Sequence, residues 1–221
     1  MNRRLLANLV LGFLAALAAG CTAAADKPPK NVKLEISWAS EDARVPPFSR
    51  VLLAPIELEF RPVEPMSGPN SLGTGRSEFP VTDRDRERLA QDFNDLLRSE
   101  LAESKSVTVT DTAGPDVLVL KPALRDIVWR VPPEEPAGAK VYLDTVADLT
   151  LTVDFVDGES GKTLGNAADR RTAEPANTTG DFGALRGSRV EATAELRRLA
   201  RKWGTRLRGR VEQLYFASKP R

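Results

Sequence analysis

The sequence has no histidine, one cysteine, and aromatic side chains at only 6% of its 221 positions. Without histidine the chain lacks the commonest metal ligand and the usual general base near neutral pH, which excludes most familiar catalytic constellations. A lone thiol cannot close an intramolecular disulfide, so the core must hold the fold unaided. An excess of either charge is missing as well, with 32 Lys and Arg against 31 Asp and Glu, so there is no global nucleic-acid footprint. What remains, 41% hydrophobic and 29% charged residues, is ordinary for one globular core.

The cysteine, Cys21, closes the stretch "FLAALAAGC". Upstream, Arg3 and Arg4 precede a run from Leu5 to Ala19 that is apolar apart from Asn8, giving the charged and hydrophobic regions of a secretory signal. That run falls short of the ~20 residues a transmembrane helix needs. Ala18, Ala19 and Gly20 before the cysteine, with Leu17 beyond them, resemble the lipobox of bacterial lipoproteins, although Ala18 stands where that pattern usually has leucine. The resemblance implies cleavage after residue 20 and a diacylglyceryl group, later joined by a further acyl chain such as palmitate, on the one strongly nucleophilic thiol of the chain. Ala23-Ala24-Ala25 offers ordinary signal-peptidase cleavage as the alternative. Removing the two leader arginines leaves 30 basic and 31 acidic residues, a net of −1. The residue after Cys21 is Thr22 rather than the aspartate of inner-membrane retention, so the resemblance implies the periplasmic side of the outer membrane. Thr22 to Asn31, "TAAADKPPKN", has the small, polar, proline-containing character of a tether, with a reach of at most ~35 Å.

Beyond the tether, alternation of Val32, Leu34, Ile36 and Trp38 predicts a short strand, and Leu52, Ala54, Ile56, Leu58 and Phe60 a second, with Pro55 at an edge or bulge. Residues 62–80, rich in Pro, Gly and Ser, form a long loop. Thr82 is an N-cap, and Leu89, Phe93, Leu96, Leu97 and Leu101 make the apolar stripe of a helix. Val107 and Val109 mark a further strand, and "VLVLKPALRDIVWRV" from Val117 reads as one strand, or two broken near Pro122. The longest alternation, Val141 to Asp157, sets Leu149, Leu151, Val153 and Phe155 on one face and Asp148, Thr150, Thr152 and Asp154 on the other. "DGESGK" turns it into a return strand, residues 173–187 form a second loop, and a last helix runs from about Ser188 to Leu214 with Val190, Ala194, Leu199, Trp203, Leu207, Val211 and Leu214 inward.

"GESGKT", Gly158 to Thr163, matches half of a phosphate-binding loop, but Val156 stands where the first glycine belongs and no helical pattern follows; it reads as a hairpin turn. Asp144 and Asp148, four apart on a strand, are ~13 Å from each other and cannot share an ion alone. No metal or cofactor site is implied, and no serine has a recognisable base, so a non-enzymatic role is expected. On the last helix Arg197, Arg198, Arg201, Lys202, Arg206, Arg208 and Arg210 form either a solvated face or a docking surface for a protein partner or anionic lipid.

"RVLLAPIEL", "AGPDVLVLKPALRDI" and "LTLTVDFVDGESGKTLGNAADRR", with the lipobox, resemble the domain-of-unknown-function 3313 family of Gram-negative lipoproteins, a family that brings no catalytic residues to carry over. The order of elements is more distantly similar to the envelope accessory lipoproteins of curli secretion and penicillin-binding-protein activation. The expected organisation is a lipoprotein signal peptide over 1–20, a lipidated tether over 21–31 and a single α+β domain over 32–221: a mostly antiparallel sheet with two helices on one face. The expected function is that of a membrane-anchored, periplasm-facing accessory module that binds an envelope protein partner. The alternative is a small-ligand or lipid carrier with its pocket under loops 62–80 and 173–187.

Overall fold

The computed structural model describes residues 34–39, 44–62, 79, 81–131, 142–143, 145–174, 185–186 and 189–219. The leader, Cys21, the tether, Asp144 and most of loops 62–80 and 173–187 lie outside them. The elements are β1 (Ser37–Trp38), β2 (Arg50–Leu53), β3 (Glu57–Phe60), α1 (Asp83–Ala102), β4 (Thr108–Thr110), β5 (Val117–Trp129), β6 (Tyr142–Leu143), β7 (Ala147–Asp157), β8 (Thr163–Ala173), β9 (Leu185–Arg186) and α2 (Arg189–Ser218). Seven strands form one sheet in the order β1-β8-β7-β5-β2-β4, with β3 continuing the lane of β2 beside β5; β6 and β9 pair separately.

This α+β fold departs from the expected mostly antiparallel sheet. Within the seven-stranded sheet β2 pairs in parallel with both β4 and β5 and β3 in parallel with β5, while β5-β7, β7-β8 and β8-β1 are antiparallel. The physical reason is α1: by lying between β3 and β4 it returns the chain to the start of the sheet, and such a crossover makes a parallel neighbour where a tight turn would make an antiparallel one.

Three strands shift phase along their length. In the β2 lane Val51 is buried on the helix side, whereas after Pro55 Ile56 is the buried residue and Leu58 and Phe60 pack against the same core. Leu52 packs instead against Val117, Val119 and Val156 on the other face, so it does not share a face with Ile56 as its spacing predicts. Pro55 lies in this interruption, and Asn94 Oδ1 of α1 accepts from the Ile56 N–H at 3.0 Å. Pro122 does not break β5; it sits at the level where β2 has ended and β3 has not begun. The irregularity of β5 falls instead between Arg125 and Val128, where Asp126 adopts φ 51°, a left-handed conformation that aspartate tolerates better than most residues. One extra residue there switches the helix-facing set from Leu118, Leu120 and Leu124 to Ile127, Trp129 and Val131. A third shift at the start of β8 moves the core set from Leu164 to Ala167 and Ala173.

α1 is capped as its sequence predicts, Thr82 Oγ1 accepting from the Asp85 N–H at 3.2 Å, and buries Leu89, Phe93, Leu97 and Leu101. α2 runs parallel to it: Arg197 meets Asp92, Thr205 meets Glu100 and Ser104 meets Glu212 along the shared seam. Gly204 permits the approach, since a Cβ there would lie 2.7 Å from Glu100 Cγ. The inward stripe of α2 is Ala192, Leu196, Leu199, Ala200, Trp203, Leu207, Val211 and Leu214. Val190 is 81% exposed and Ala194 is exposed too, because both lie two positions, about 200° of helix rotation, from the buried Ala192 and Leu196. "DGESGK" is the β7-β8 turn: the Asp157 carboxylate accepts from the Ser160 hydroxyl and backbone N–H, and Gly161 supplies φ 70°.

Candidate functional site

The α2 cations that the sequence groups together are spread around the helix. Arg197 donates to Asp92 at 2.7 Å and Arg208 pairs with Glu100 and Glu103, so both belong to the α1 seam. Hydrogen bonding to the Asp92 carboxylate raises the Arg197 pKa further. Arg198 pairs with Glu195 and reaches the Glu174 carbonyl. Arg210 donates to Gln213 Oε1 at 2.9 Å; burial lowers its pKa, opposed by the nearby Glu35 charge. Arg201 and Lys202 are exposed, on opposite flanks: Arg201 lies beside Arg88 and Arg197, and Lys202 above β8.

On that second flank the sheet and α2 build a site together. Asp169 of β8 faces the helix, and its Oδ2 accepts from Trp203 Nε1 at 3.0 Å, Arg206 Nη1 at 2.7 Å and Arg171 Nε at 3.1 Å. Its side chain is 15% exposed. A carboxylate this enclosed is stable only with such charge-assisted partners, and here it fixes α2 on the edge of the sheet. Above it opens a groove of about 830 Å³. Arg170 and Arg171 line it from β8 and Lys202 and Arg206 from α2, with Leu199 and Trp203 as apolar floor and Glu174 at one end. Of the seven α2 cations expected to act as a surface, the structure brings only Lys202 and Arg206 to this place. Asp169, Arg170 and Arg171 were missed by sequence reasoning; their signal is "ADRRT", charge at consecutive positions of a strand, which puts charge on the helix-facing side as well as the open one.

The opposite face of the sheet carries a lattice of ion pairs. Arg125 reaches Glu57 and Glu59 at 2.9 Å each, Arg61 and Arg170 both hold Asp126, and Arg130 and Thr172 hold Asp148 at 2.6 and 2.7 Å. The hydrogen bond from Arg61, then that from Arg170, lowers the Asp126 pKa to about 2. Burial works to raise that of Asp148, but its bonds from Arg130 and Thr172 outweigh it and the net shift is downward. These carboxylates serve as anchors of the sheet, and among the described residues no cluster of three potential metal ligands is present.

Beside the first turns of α1 and α2, Leu89, Trp129, Val131, Ala192 and Leu196, with Asp85, Arg88, Asp92 and Thr193, line a hollow of about 40 Å³ among the described residues, room for a few waters. No helix among the described residues is long and apolar enough to cross a membrane.

Comparison with solved structures finds remote likenesses. A DUF330 protein from Xanthomonas campestris is 10% identical, over 80% of this chain and 91% of that one, with a TM-score of 0.41. The PelC dodecamer subunit from Paraburkholderia phytofirmans is 11% identical over 78% and 97%, with a TM-score of 0.35. A candidate lipoprotein from Caulobacter crescentus is 15% identical over 61% and 88%, with a TM-score of 0.34. No curated protein matches the sequence. The family model described as a protein of unknown function, DUF3313, matches residues 24–207, and the chain belongs to that family.

Proposed function

We propose that this protein is a lipoprotein anchored through Cys21 to the periplasmic side of the outer membrane, whose α+β domain is a non-enzymatic partner-binding module in envelope assembly or transport. The anchor reading is supported by the charged start, the short apolar run and the small residues before Cys21. Two embedded acyl chains, at ~0.8 kcal/mol for each buried CH₂, anchor a protein stably at a bilayer. The observation that carries the binding role is the open groove over β8, lined by four cations from two elements, Arg170 and Arg171 of the strand and Lys202 and Arg206 of the helix. Arginine is enriched at protein interfaces, where its guanidinium can pair with carboxylates of a partner.

The test is a pull-down from membranes with the full-length protein and a Cys21→Ser variant, with mass spectrometry of the N-terminus. The expected result is an acylated Cys21 and an envelope protein captured by the intact form. An unmodified Cys21 in a chain cleaved elsewhere, after Ala25 for example, removes the anchor.

A further inference from the structure

β8 is eleven residues long, yet β1 pairs only with its Gly165 and Asn166. The Ala39 N–H donates to the Leu164 carbonyl across this edge at 2.9 Å, and the alternation of a strand turns the backbone groups of Asn166, Ala168, Arg170 and Thr172 the same way. From Ala168 to Thr172 no described strand takes them up. An edge of this kind is a template for a further strand. The edge also borders the cationic groove, and this decides what such a strand would carry.

We propose that the edge of β8 from Ala168 to Thr172, with the adjoining flank of α2, docks an extended acidic segment of a partner protein as an added strand. The proposal rests on the partner-binding reading and assigns it a surface. Side chains of an added strand alternate between the two faces of the sheet. Those on the helix side meet Arg171, Lys202 and Arg206; those on the open side meet Arg170, already bound to Asp126, and Thr172, bound to Asp148. Arg171 gives Asp169 its Nε and Arg206 gives it one Nη, and a guanidinium carries five donors in all, so both can hold Asp169 and an incoming carboxylate at once. Lys202 has no ion pair among the described residues. Specificity is therefore for carboxylates at every second position, and the Glu174 carboxylate sets the end of the acidic register.

The probe is a fluorescein-labelled octapeptide of alternating glutamate and threonine, with the matching lysine-threonine peptide and an acidic peptide N-methylated at alternate residues. Binding to the purified mature domain is followed by fluorescence anisotropy. The acidic peptide binds and the other two are weaker by about tenfold or more. Lys202→Glu weakens the acidic peptide by about tenfold, whereas Arg201→Glu, on the other flank, changes it by less than about twofold. Ala168→Pro removes an outward donor that the sheet itself does not use, and has the same effect as peptide methylation.

Equal losses from Lys202→Glu and Arg201→Glu would overturn the proposal in favour of a diffuse field, as would undiminished binding of the methylated peptide or no binding at millimolar concentration. So would sedimentation showing self-association that Lys202→Glu abolishes, which assigns the edge to a second copy. Binding to phosphatidylglycerol vesicles that the peptide fails to displace assigns the cations to lipid and overturns it likewise. If the peptide fails while the Lys202→Glu full-length protein still captures its partner from membranes, the surface is wrong and the partner-binding role stands.

Discussion

Along β7 the sheet shows two kinds of construction in one strand. Leu149, Leu151, Val153 and Phe155 are at most 1% exposed beneath α1 and α2, while the intervening Asp148, Thr150, Thr152 and Asp154 face the other way, among Arg125, Arg130 and Arg170 of the neighbouring strands. The covered face is held by removal of apolar area from water, ~25 cal/mol per Å², which adds up over a contiguous core. The open face is held by charge pairs in water, each contributing ~0–1 kcal/mol and weakened by salt, beside the small apolar cluster of Leu52, Val117, Val119 and Val156 at one end. The covered face therefore determines whether the chain folds, and the open face tunes its register and its response to acid.

The largest effect should come from the covered face. Trp203 is 1% exposed, packs against Phe93 with ring centroids 6.0 Å apart and planes tilted by 54°, and donates to Asp169. Trp203→Ala should cost ~3–5 kcal/mol, read as a lowered urea midpoint, and loosening of α2 should disturb Asp169 and the groove above it. A loss under ~1 kcal/mol would mean that α2 is not fixed to the sheet by this residue.

An intermediate case tests whether the open face is uniformly wet. Arg130 and Asp148 are only 15% and 20% exposed in their side chains, drier than the other pairs on that face. Asp148→Ala leaves a guanidinium without its carboxylate in a half-dry position and should cost ~1–3 kcal/mol. Arg125→Ala breaks two bonds, to Glu57 and Glu59, but at an Arg side chain 42% exposed and glutamates 72% and 62% exposed; its cost should stay below ~1 kcal/mol and shrink in salt. Urea titrations of both variants at low and high salt would invert the comparison if Arg125→Ala proved the more damaging.

The same contrast explains what was legible in advance. α1, β7 from Ala147 onward, the β7-β8 turn and most of the inward residues of α2 follow from periodicity, whereas the start of the alternation that begins at Val141 leaves the main sheet, Tyr142–Leu143 pairing with β9 instead. β2 with β3, β5 and β8 do not follow from it: Pro55, Asp126 and the start of β8 each insert a step that swaps the faces, so that Leu52 and Ile56 look alike in sequence and lie on opposite sides. Asp126 gives no apolar signal for its bulge, since its left-handed backbone is held by Arg61 just after β3 and Arg170 from β8, one 65 and the other 44 residues away in sequence. The parallel half was hidden for a related reason: hydrophobic patterning says which face of a strand is buried, and it does not say which strand lies beside it. For the candidate site, Lys202 and Arg206 were visible as members of a basic helix, but their selection from seven cations depends on Asp169 and the β8 edge, a long-range contact.

The smallest predicted effect lies in the acid response of the open face. The Asp126 pKa is about 2 in the folded protein against 3.8 unperturbed, so the native state favours the ionised form. A group shifted downward contributes stability that is fully present above its unfolded pKa and is lost as pH falls from about 4 to about 2. Its side chain is 39% exposed, and solvent screening keeps the contribution small. Asp126→Asn isolates the charge, because asparagine accepts the left-handed backbone of the bulge as readily as aspartate. Thermal melts at pH 7, 4, 3 and 2 should show the variant slightly less stable than the parent at pH 7 and the gap closing toward pH 2, with 0.5 M salt reducing the gap at pH 7. Asp116, Asp148 and Asp157 also have lowered pKa values, so part of the acid slope should survive in the variant. A gap that stays constant with pH would assign the loss to backbone geometry at the bulge, and Asp126 would then belong with the structural devices that set the phase of β5 rather than with the ionic lattice.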